Sequence, residues 1–577
     1  MANLVNIKIN GTDYAVEYGT TILDACRQNG IRIPTLCYLK DINQIGACRV
    51  CVCEVKGARS LVAACVYPIE RDGTEIFTNT PRVLNARKTT VELMLSNHNN
   101  ACNSCVRSTH CELQALAQEL GCDEHRFEGA KNHYEEDVTP YLIRDNSKCI
   151  LCRRCVAVCK NRQKVAVIGP NHRGFNTSIA SAFEMSLNDA PCVACGQCIT
   201  VCPTGALREK DDIDEVARAI ADPSKHVVVA TAPAVRVGLG EEFGYPIGTN
   251  VEGQMVTALK MLGFDKVFDI DFAADVTIME EGTELIDRIQ NGGTLPMITS
   301  CSPGWVNFIE QYYPEYLGHL STAKSPQGMF GALVKSYYAE KNNIDPRDIF
   351  VVSIMPCTAK KVERARQNLG RDGYQDIDAV LTTRELARFI KRSGILFRCL
   401  KESKYDNFSG STAGLIFGAT GGVMEAALRT VKEVLDGKPL EKIEFEEVRG
   451  VKGIKRAQVE IAGKPVKVAV AHGIENADII MKEIRDGKAD YQFIEVMCCP
   501  GGCVAGGGQP IQPADVQNTI DIRAERAKGI YGADDIGKVR KSHENPEVKE
   551  LYDTYLGKPN SHKAHELLHT TYYNRKK

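Results

Sequence analysis

Cysteines are the chemistry-bearing feature of this chain: there are 24 of them in 577 residues. Most stand two or three residues apart in runs, which is the spacing of metal ligands rather than of disulfide staples. The densest stretch, Glu495 to Pro510, reads Glu-Val-Met-Cys-Cys-Pro-Gly-Gly-Cys-Val-Ala-Gly-Gly-Gly-Gln-Pro. Cys498, Cys499 and Cys503 fall within six residues there. The glycines let the backbone turn back and approach a bound group closely. Thiolates held this way suit iron. A structural zinc knuckle or a buried set of reduced cysteines is the plain alternative.

Further sets precede this one. Cys37, Cys48, Cys51 and Cys65 are spaced Cys-x10-Cys-x2-Cys-x13-Cys, with Cys53 as an extra. A Cys-x2-Cys pair flanked by single cysteines is a plant-type 2Fe-2S pattern, with zinc as the alternative. His98, Cys102, Cys105 and Cys111 offer one imidazole and three thiolates. Their spacing leaves zinc and a 4Fe-4S cluster both open, and His110 competes with His98. Cys149, Cys152, Cys155 and Cys159, then Cys192, Cys195, Cys198 and Cys202, form two Cys-x2-Cys-x2-Cys-x3-Cys runs, the second followed by Pro203. In two-cluster bacterial ferredoxins the fourth cysteine of each run serves the other cluster. One 4Fe-4S cluster is therefore expected on Cys149, Cys152, Cys155 and Cys202, the other on Cys192, Cys195, Cys198 and Cys159. Cys26, Cys122 and Cys399 lack such partners and read as core or structural residues.

Particular elements have to hold these sets. Val5, Ile7 and Ile9 alternate along a first strand, Asn10-Gly11 is a hairpin turn, and Tyr14 and Val16 continue a second strand. A short helix over Thr20 to Gln28 follows, closed by Gly30. Beyond about residue 210 cysteines thin out. Apolar runs such as Val227 to Ala230 and Phe350 to Ile354 there alternate with helical patterns such as Val256 to Met261 and Thr383 to Lys391. That alternation predicts an α/β domain with parallel strands and ligand sites at strand ends. The loops Ser300 to Gly304 and Gly418 to Gly422 follow strand-like runs. The expected fold class is α+β multidomain. It comprises a β-grasp plant-type 2Fe-2S domain over 1–80, a small His/Cys cluster domain over 81–125, a two-cluster bacterial ferredoxin domain over 140–210, and a large α/β domain with parallel sheets over 211–577.

Composition is that of an ordinary globular protein, with 44% hydrophobic and 25% charged residues. A net charge of −2 gives no global bias towards nucleic acid or anionic membrane, and no run is apolar enough to span a bilayer. Met1 to Asn10 lacks the basic start and apolar core of a signal peptide, so a cytoplasmic location is expected.

Two more loops belong with the opening stretch. They are Thr299-Ser300-Cys301-Ser302-Pro303-Gly304-Trp305 and Met355-Pro356-Cys357-Thr358-Ala359-Lys360-Lys361-Val362-Glu363. With all three, the chain resembles the FeFe-hydrogenases of the long, multi-cluster clostridial type. The resemblance runs from residue 1 to about 570 and includes Arg540 to Asn545 and His565 to His569. It implies that the His98 set, which follows the 2Fe-2S domain in this family and in NADH dehydrogenase large subunits, holds a 4Fe-4S cluster. It implies an active-site H-cluster, a 4Fe-4S cubane joined through one cysteine to a two-iron centre with CO, cyanide and a dithiolate bridge. Cys357, Cys499 and Cys503 would be ligands, with Cys503 the bridging thiolate. Lys360 would donate to a cyanide. Pro233, Ala234, Gln327, Met355 and Met497 would line the two-iron pocket.

A proton path would begin at Cys301 and continue through Glu284, Ser321 and Glu281, with Arg288 near its outer end. Glu281 and Glu284 are three apart in the helix-like Met279 to Gln290 and share a face, and Glu280 reads as their solvated neighbour. Cys301 would exchange a proton with the bridge amine; an unperturbed thiol, titrating near about 8.5, suits that role.

The chain departs from the family at one point. The family's first loop usually reads Thr-Ser-Cys-Cys-Pro, and its second cysteine is the fourth cubane ligand. Here that position is Ser302, while Cys498 stands where the third loop commonly has Ala. Three readings compete. Cys498 replaces the missing ligand; Ser302 ligates as an alkoxide, a harder donor less suited to iron–sulfur; or Cys301 moves into ligation while Cys498 relays protons.

The resemblance implies reversible conversion of 2H⁺ and 2e⁻ to H₂, with electrons relayed by three accessory 4Fe-4S clusters and one 2Fe-2S cluster. A low-turnover hydrogen-sensing relative is the alternative. A purely electron-transferring subunit would lack the three loops. The runs Gly418 to Gly422 and Gly506 to Gly508 lack the strand-turn-helix spacing of a flavin or nicotinamide fingerprint. The expected partners are a ferredoxin or flavodoxin, or flavin-bearing subunits of a multimeric NAD(P)-linked hydrogenase, together with maturation proteins.

Overall fold

The computed structural model describes residues 3–576. Met1, Ala2 and Lys577, at the outer ends of the first and last expected domains, lie outside the described residues.

The N-terminal strands form one mixed five-stranded sheet in the order Thr12–Glu17, Leu4–Ile9, Thr74–Phe77, Val52–Val55, Val62–Ala63. Leu4–Ile9 and Thr12–Glu17 pair antiparallel around Asn10-Gly11, where both residues take positive φ. Val5, Ile7, Ile9 and Val16 are buried against the helix Ile22–Gln28, which Thr21 caps by accepting from the Asp24 amide. Cys26 and Cys53 lie in this core, and burial pushes their thiols up to about 12 and about 11. The helix Pro81–Asn97 then delivers the chain to His98. The two long cysteine runs sit on the short helical turns Arg154–Ala157 and Gln197–Thr200. A three-stranded sheet of Leu207–Glu209, Leu142–Arg144 and Asp137–Val138 belongs to the same part of the chain.

Two four-stranded sheets carry the large domain. The first, in the order Lys266–Asp269, His226–Thr231, Ile349–Met355, Ala379–Thr382, is parallel throughout. Its two central strands are rich in Val and Ile and almost wholly buried, as parallel strands covered on both faces must be. The second runs Met297–Ile298, Phe493–Met497, Lys464–His472, Ile454–Ile461. Its first three strands are parallel, but Ile454–Ile461 pairs antiparallel as an edge hairpin. That edge strand alternates towards solvent, which antiparallel pairing tolerates.

Three expectations need correction. The helix around Glu281 begins at Asp271, not Met279, and runs to Asn291. It is buried over most of that length, packed against Pro326–Leu333, Thr412–Leu415 and Gly422–Asp436, so its first half shows no polar face. The loop Gly418 to Gly422 follows helical turns, Thr412–Leu415 and Ile416–Gly418, rather than a strand. The run Ala413 to Phe417 is short and buried throughout, and such a run does not reveal its period. Cys399 is exposed; Phe397, in the same turn, takes the core position. Among the described residues no helix is long and apolar enough to cross a membrane.

Candidate active site

All three cysteine loops leave the C-terminal ends of strands. Thr299 follows Met297–Ile298, Pro356 follows Ile349–Met355, and Cys498 follows Phe493–Met497. Met297–Ile298 and Phe493–Met497 are paired neighbours, so the first and third loops start side by side. Thr299 Oγ1 accepts from the Val496 amide at 3.1 Å, and Ser302 Oγ accepts from the Cys498 amide at 3.1 Å. The third loop then turns onto the second, where the Gly508 amide donates to the Pro356 carbonyl at 2.8 Å. This packing requires glycine. A Cβ on Gly506 would stand 2.0 Å from the Pro356 oxygen, and one on Gly507 2.2 Å from the Cys195 oxygen. The second contact seats the loop directly on a cysteine of the ferredoxin-like segment. Arg384, paired with Glu209, donates to the Gly507 and Gln509 carbonyls from the other side.

The loops enclose a cavity of about 80 Å³. Pro233, Cys301, Gln327, Met355, Lys360, Met497, Cys357, Cys498, Cys499, Cys503 and Ser302 line it. Ala234 is not on the wall; its carbonyl accepts from Gln509 Nε2 at 2.7 Å behind Pro233. Ala232, Ile270, Pro326 and Phe417 also line it, and sequence reasoning passed over them. Their only signal is apolar character, which many core residues share.

The donor set fits a thiolate-bound metal centre with small polar ligands. Several thiols line a mostly apolar cavity. Gln327 Oε1 is buried without a partner, while its Nε2 donates to Glu363 at 3.0 Å. Lys360 Nζ donates to Ser325 Oγ at 2.7 Å and Glu363 Oε2 at 2.9 Å, which leaves the third of its donors for a bound group. Burial, then the neighbouring Cys499, pushes Cys503 up to about 12. Burial, then Glu281 and Cys503, raises Cys301 well above the ordinary thiol value, so its environment holds it protonated rather than near its unperturbed value.

Next to Cys301 lies a chain of polar groups. Ser321 Oγ donates to Glu284 Oε2 at 2.8 Å and lies beside Glu281. Arg288, half-buried, donates to Glu284 Oε1 at 2.7 Å. Burial, then the Glu284 charge, pushes Glu281 up to about 8, and its Oε2 has no partner. Glu280 was expected in solvent, but it is fully buried. Tyr552 Oη and the Asn560 amide donate to it, and His569 Nε2 lies 3.1 Å away. The C-terminal segment covers that side of the helix, and nothing within the helix sequence signals this cover.

The other cysteine sets gather as follows. The Cys37 thiol lies beside those of Cys48 and Cys65, and the Cys51 thiol beside that of Cys65. Cys149, Cys152, Cys155 and Cys202 line one small cavity. Burial, then the charges of Cys195, Cys192 and Cys159, raises the Cys198 thiol. His98 lines a cavity with Cys102 and Cys111, is buried, and has an unpaired Nδ1; His110 is exposed and off that wall. Burial, then Lys148, pushes the His98 imidazole down to about 4, into the neutral form that metal ligation needs. Cys105 is not on that wall; a Cβ on Gly205 would stand 2.6 Å from its sulfur. Cys122 is on it, with its thiol donating to the Lys88 carbonyl at 3.8 Å.

Five known families match successive parts of the chain. They are a 2Fe-2S iron-sulfur cluster binding domain over 2–81, the NADH-ubiquinone oxidoreductase-G iron-sulfur binding region over 87–126, and a 4Fe-4S dicluster domain over 148–206. The iron only hydrogenase large subunit, C-terminal domain, matches 225–507, and the iron hydrogenase small subunit matches 520–575. The chain is 48% identical over 590 aligned residues to the NADP-reducing hydrogenase subunit HndD of Solidesulfovibrio fructosivorans, covering 100% of both. It is 46% identical over 573 residues to iron hydrogenase 1 of Clostridium pasteurianum, covering 98% of this chain and 99% of that one. A solved FeFe-hydrogenase HydA1 variant from Chlamydomonas reinhardtii superposes with a TM-score of 0.58 at 40% identity, over 64% of this chain and 100% of that one. With relatives matched from end to end, and with the loops that carry the resemblance closing on a single thiol-lined cavity, the chain belongs to the iron-only, or FeFe, hydrogenases.

Proposed function

We propose that this FeFe-hydrogenase interconverts protons, electrons and H₂ in the cavity between its three loops, and that Cys357, Cys499, Cys503 and Cys498 hold its 4Fe-4S cubane. When bound, the two-iron centre joined through Cys503 supplies the reducible metal site at which two protons and two electrons become H₂. One observation carries the ligand reading. Ser302 Oγ already accepts the Cys498 amide, while the Cys498 thiol is buried within hydrogen-bond reach of Cys499. The two side chains share one corner of the cavity, and only one of them is a soft donor. Cys301 faces Glu281 instead, which suits a proton carrier.

The remaining residues prepare the site. Pro233, Met355 and Met497 exclude water, with Ala234 fixing Pro233 from behind. Lys360 and Gln327 orient the small ligands. Cys301, Glu281, Ser321 and Glu284 move protons, and Arg288 holds Glu284 at the outer end. One 2Fe-2S cluster on Cys37, Cys48, Cys51 and Cys65 and a 4Fe-4S cluster on His98, Cys102, Cys105 and Cys111 begin the electron path. Two more 4Fe-4S clusters, on Cys149, Cys152, Cys155 and Cys202 and on Cys192, Cys195, Cys198 and Cys159, complete it. Cys195 touches the third loop through Gly507 and so suits the last position. We read the chain as units over 1–80, 81–125, 140–210 and 211–577. They work in the cytoplasm with a ferredoxin, a flavodoxin or flavin-bearing subunits, after maturation proteins install the two-iron centre. The likeness to an NADP-reducing hydrogenase subunit supports the multisubunit arrangement. The sensing alternative is not favoured.

Two substitutions test this reading. Cys498→Ala is expected to lose the cubane's share of the iron and its EPR signal; a complete cubane rejects Cys498 as a ligand. Cys301→Ser is expected to keep the cubane and lose turnover; retained turnover rejects Cys301 as the proton carrier.

A further inference from the structure

Gln163 belongs to the ferredoxin-like segment, four residues beyond Cys159 at the end of the turn Val158–Arg162, yet its side chain ends at the third loop. It is fully buried. Its Oε1 lies 3.7 Å from the Cys498 sulfur, and its Nε2 has no partner. A polar amide in that place, half of it unsatisfied, needs an explanation, because an apolar side chain of like size would fill the space at less cost. The sulfur it meets is equally constrained. Gly304 leaves the room for it, since a Cβ there would stand 2.6 Å from Cys498 Sγ. The same sulfur is within hydrogen-bond reach of Cys195 and Cys499.

The two ends of a glutamine amide have nearly the same shape, so the charge on the sulfur decides which end faces it. A thiol donates its S–H to Oε1. A thiolate can only accept, so Oε1 beside it is repelled. A half-turn of the amide then brings Nε2 to the sulfur, satisfying the orphan donor and the anion together.

We infer that Gln163 is a positioning residue whose Nε2 donates a hydrogen bond to the Cys498 thiolate and thereby raises the reduction potential of the catalytic cubane. The inference rests on Cys498 being a cubane ligand, as proposed above. An N–H donor draws charge from a ligating sulfur and so favours the more electron-rich, reduced state. Gln163 follows Cys159 in sequence, and Cys498 adjoins Cys195. The bond therefore acts where the last accessory cluster and the cubane meet, and it sets how readily an electron crosses that junction.

The test is an EPR-monitored redox titration of the full chain with its iron–sulfur clusters loaded. Gln163→Leu and Gln163→Met both remove the donor while keeping an apolar side chain of similar length. In each the cubane midpoint is expected to fall, with iron content and accessory-cluster signals unchanged; if one variant loses iron, the other decides. The same substitutions are then made in a Ser302→Cys/Cys498→Ala background, which moves the thiolate to the first loop. There they are expected to leave the midpoint in place. An unshifted midpoint at full iron content overturns the inference, and so does an equal fall in the relocated-thiolate background. Failure of the ligand reading is separate: it appears as a complete, unaltered cubane in Cys498→Ala.

Discussion

Glu281 has the surroundings that a proton relay needs. It is fully buried, one of its oxygens is unpaired, and it titrates near about 8 because burial and the Glu284 charge disfavour its ionised form. The neutral acid is thus available near neutral pH, as a group that gives and takes protons must be. Glu281→Gln keeps the shape and removes the exchangeable proton. It is expected to lower H₂ turnover by roughly 10²- to 10⁴-fold with cluster content unchanged, a drop read in a gas-evolution assay. The same shift predicts a pH effect on stability. The folded value lies above the ordinary carboxylate value of 4.5, so the folded state binds the proton more tightly. This contribution is full below 4.5 and is lost as pH rises through about 8. Thermal melts of Glu281→Gln are expected to lose less stability across that window than those of the unaltered chain. The Ser302–Cys498 exchange is also a matter of single residues. Its existence was legible in the sequence, because both positions fall inside recognisable loops. Its geometry was not, because the pairing of the Ser302 hydroxyl with the Cys498 amide depends on two strands 195 residues apart lying side by side.

Among the elements, the helix Asp271–Asn291 carries Glu281, Glu284 and Arg288 of the proposed proton path, and the sequence showed only one of its faces. Periodicity found the face shared by Glu281 and Glu284, since a spacing of three is intrinsic to a helix. It took Glu280 for their solvated neighbour because a carboxylate on a helix usually lies in solvent. The C-terminal segment, almost 300 residues further on, brings Tyr552, Asn560 and His569 to that carboxylate instead. Removing a donor from a buried carboxylate leaves part of its desolvation uncompensated. Tyr552→Phe is therefore expected to cost roughly 1–3 kcal/mol in denaturant unfolding. An unchanged midpoint contradicts the view that this segment holds the helix. The strands Val227 to Ala230 and Phe350 to Ile354 were legible for the opposite reason. Their β-branched runs are buried on both faces, and that pattern is local. The helical turns before Gly418 were not legible, because Ala413 to Phe417 is buried whichever period it adopts.

At the scale of the whole molecule, the cysteine sets lie in chain order from a small mixed sheet, through a histidine-bearing segment and a ferredoxin-like segment, to the three loops. That order was readable because iron–sulfur ligands are spaced by cluster geometry, and spacing survives in a bare sequence. The contacts between units were not readable. Gly507 against Cys195, and Gln163 against Cys498, each join residues more than 300 positions apart. Both contacts fall between the ferredoxin-like segment and the third loop. On the proposed routes an electron leaves one unit for the next there, while protons come in from the Glu281 side. The cavity where those two routes meet is the proposed place of H₂ turnover. The most direct measurement is hydrogen evolution from reduced methyl viologen by the full chain, with its clusters loaded and the two-iron centre installed. Steady H₂ production that Cys301→Ser abolishes is expected. A protein fully loaded by iron analysis that evolves no H₂ would contradict the proposal.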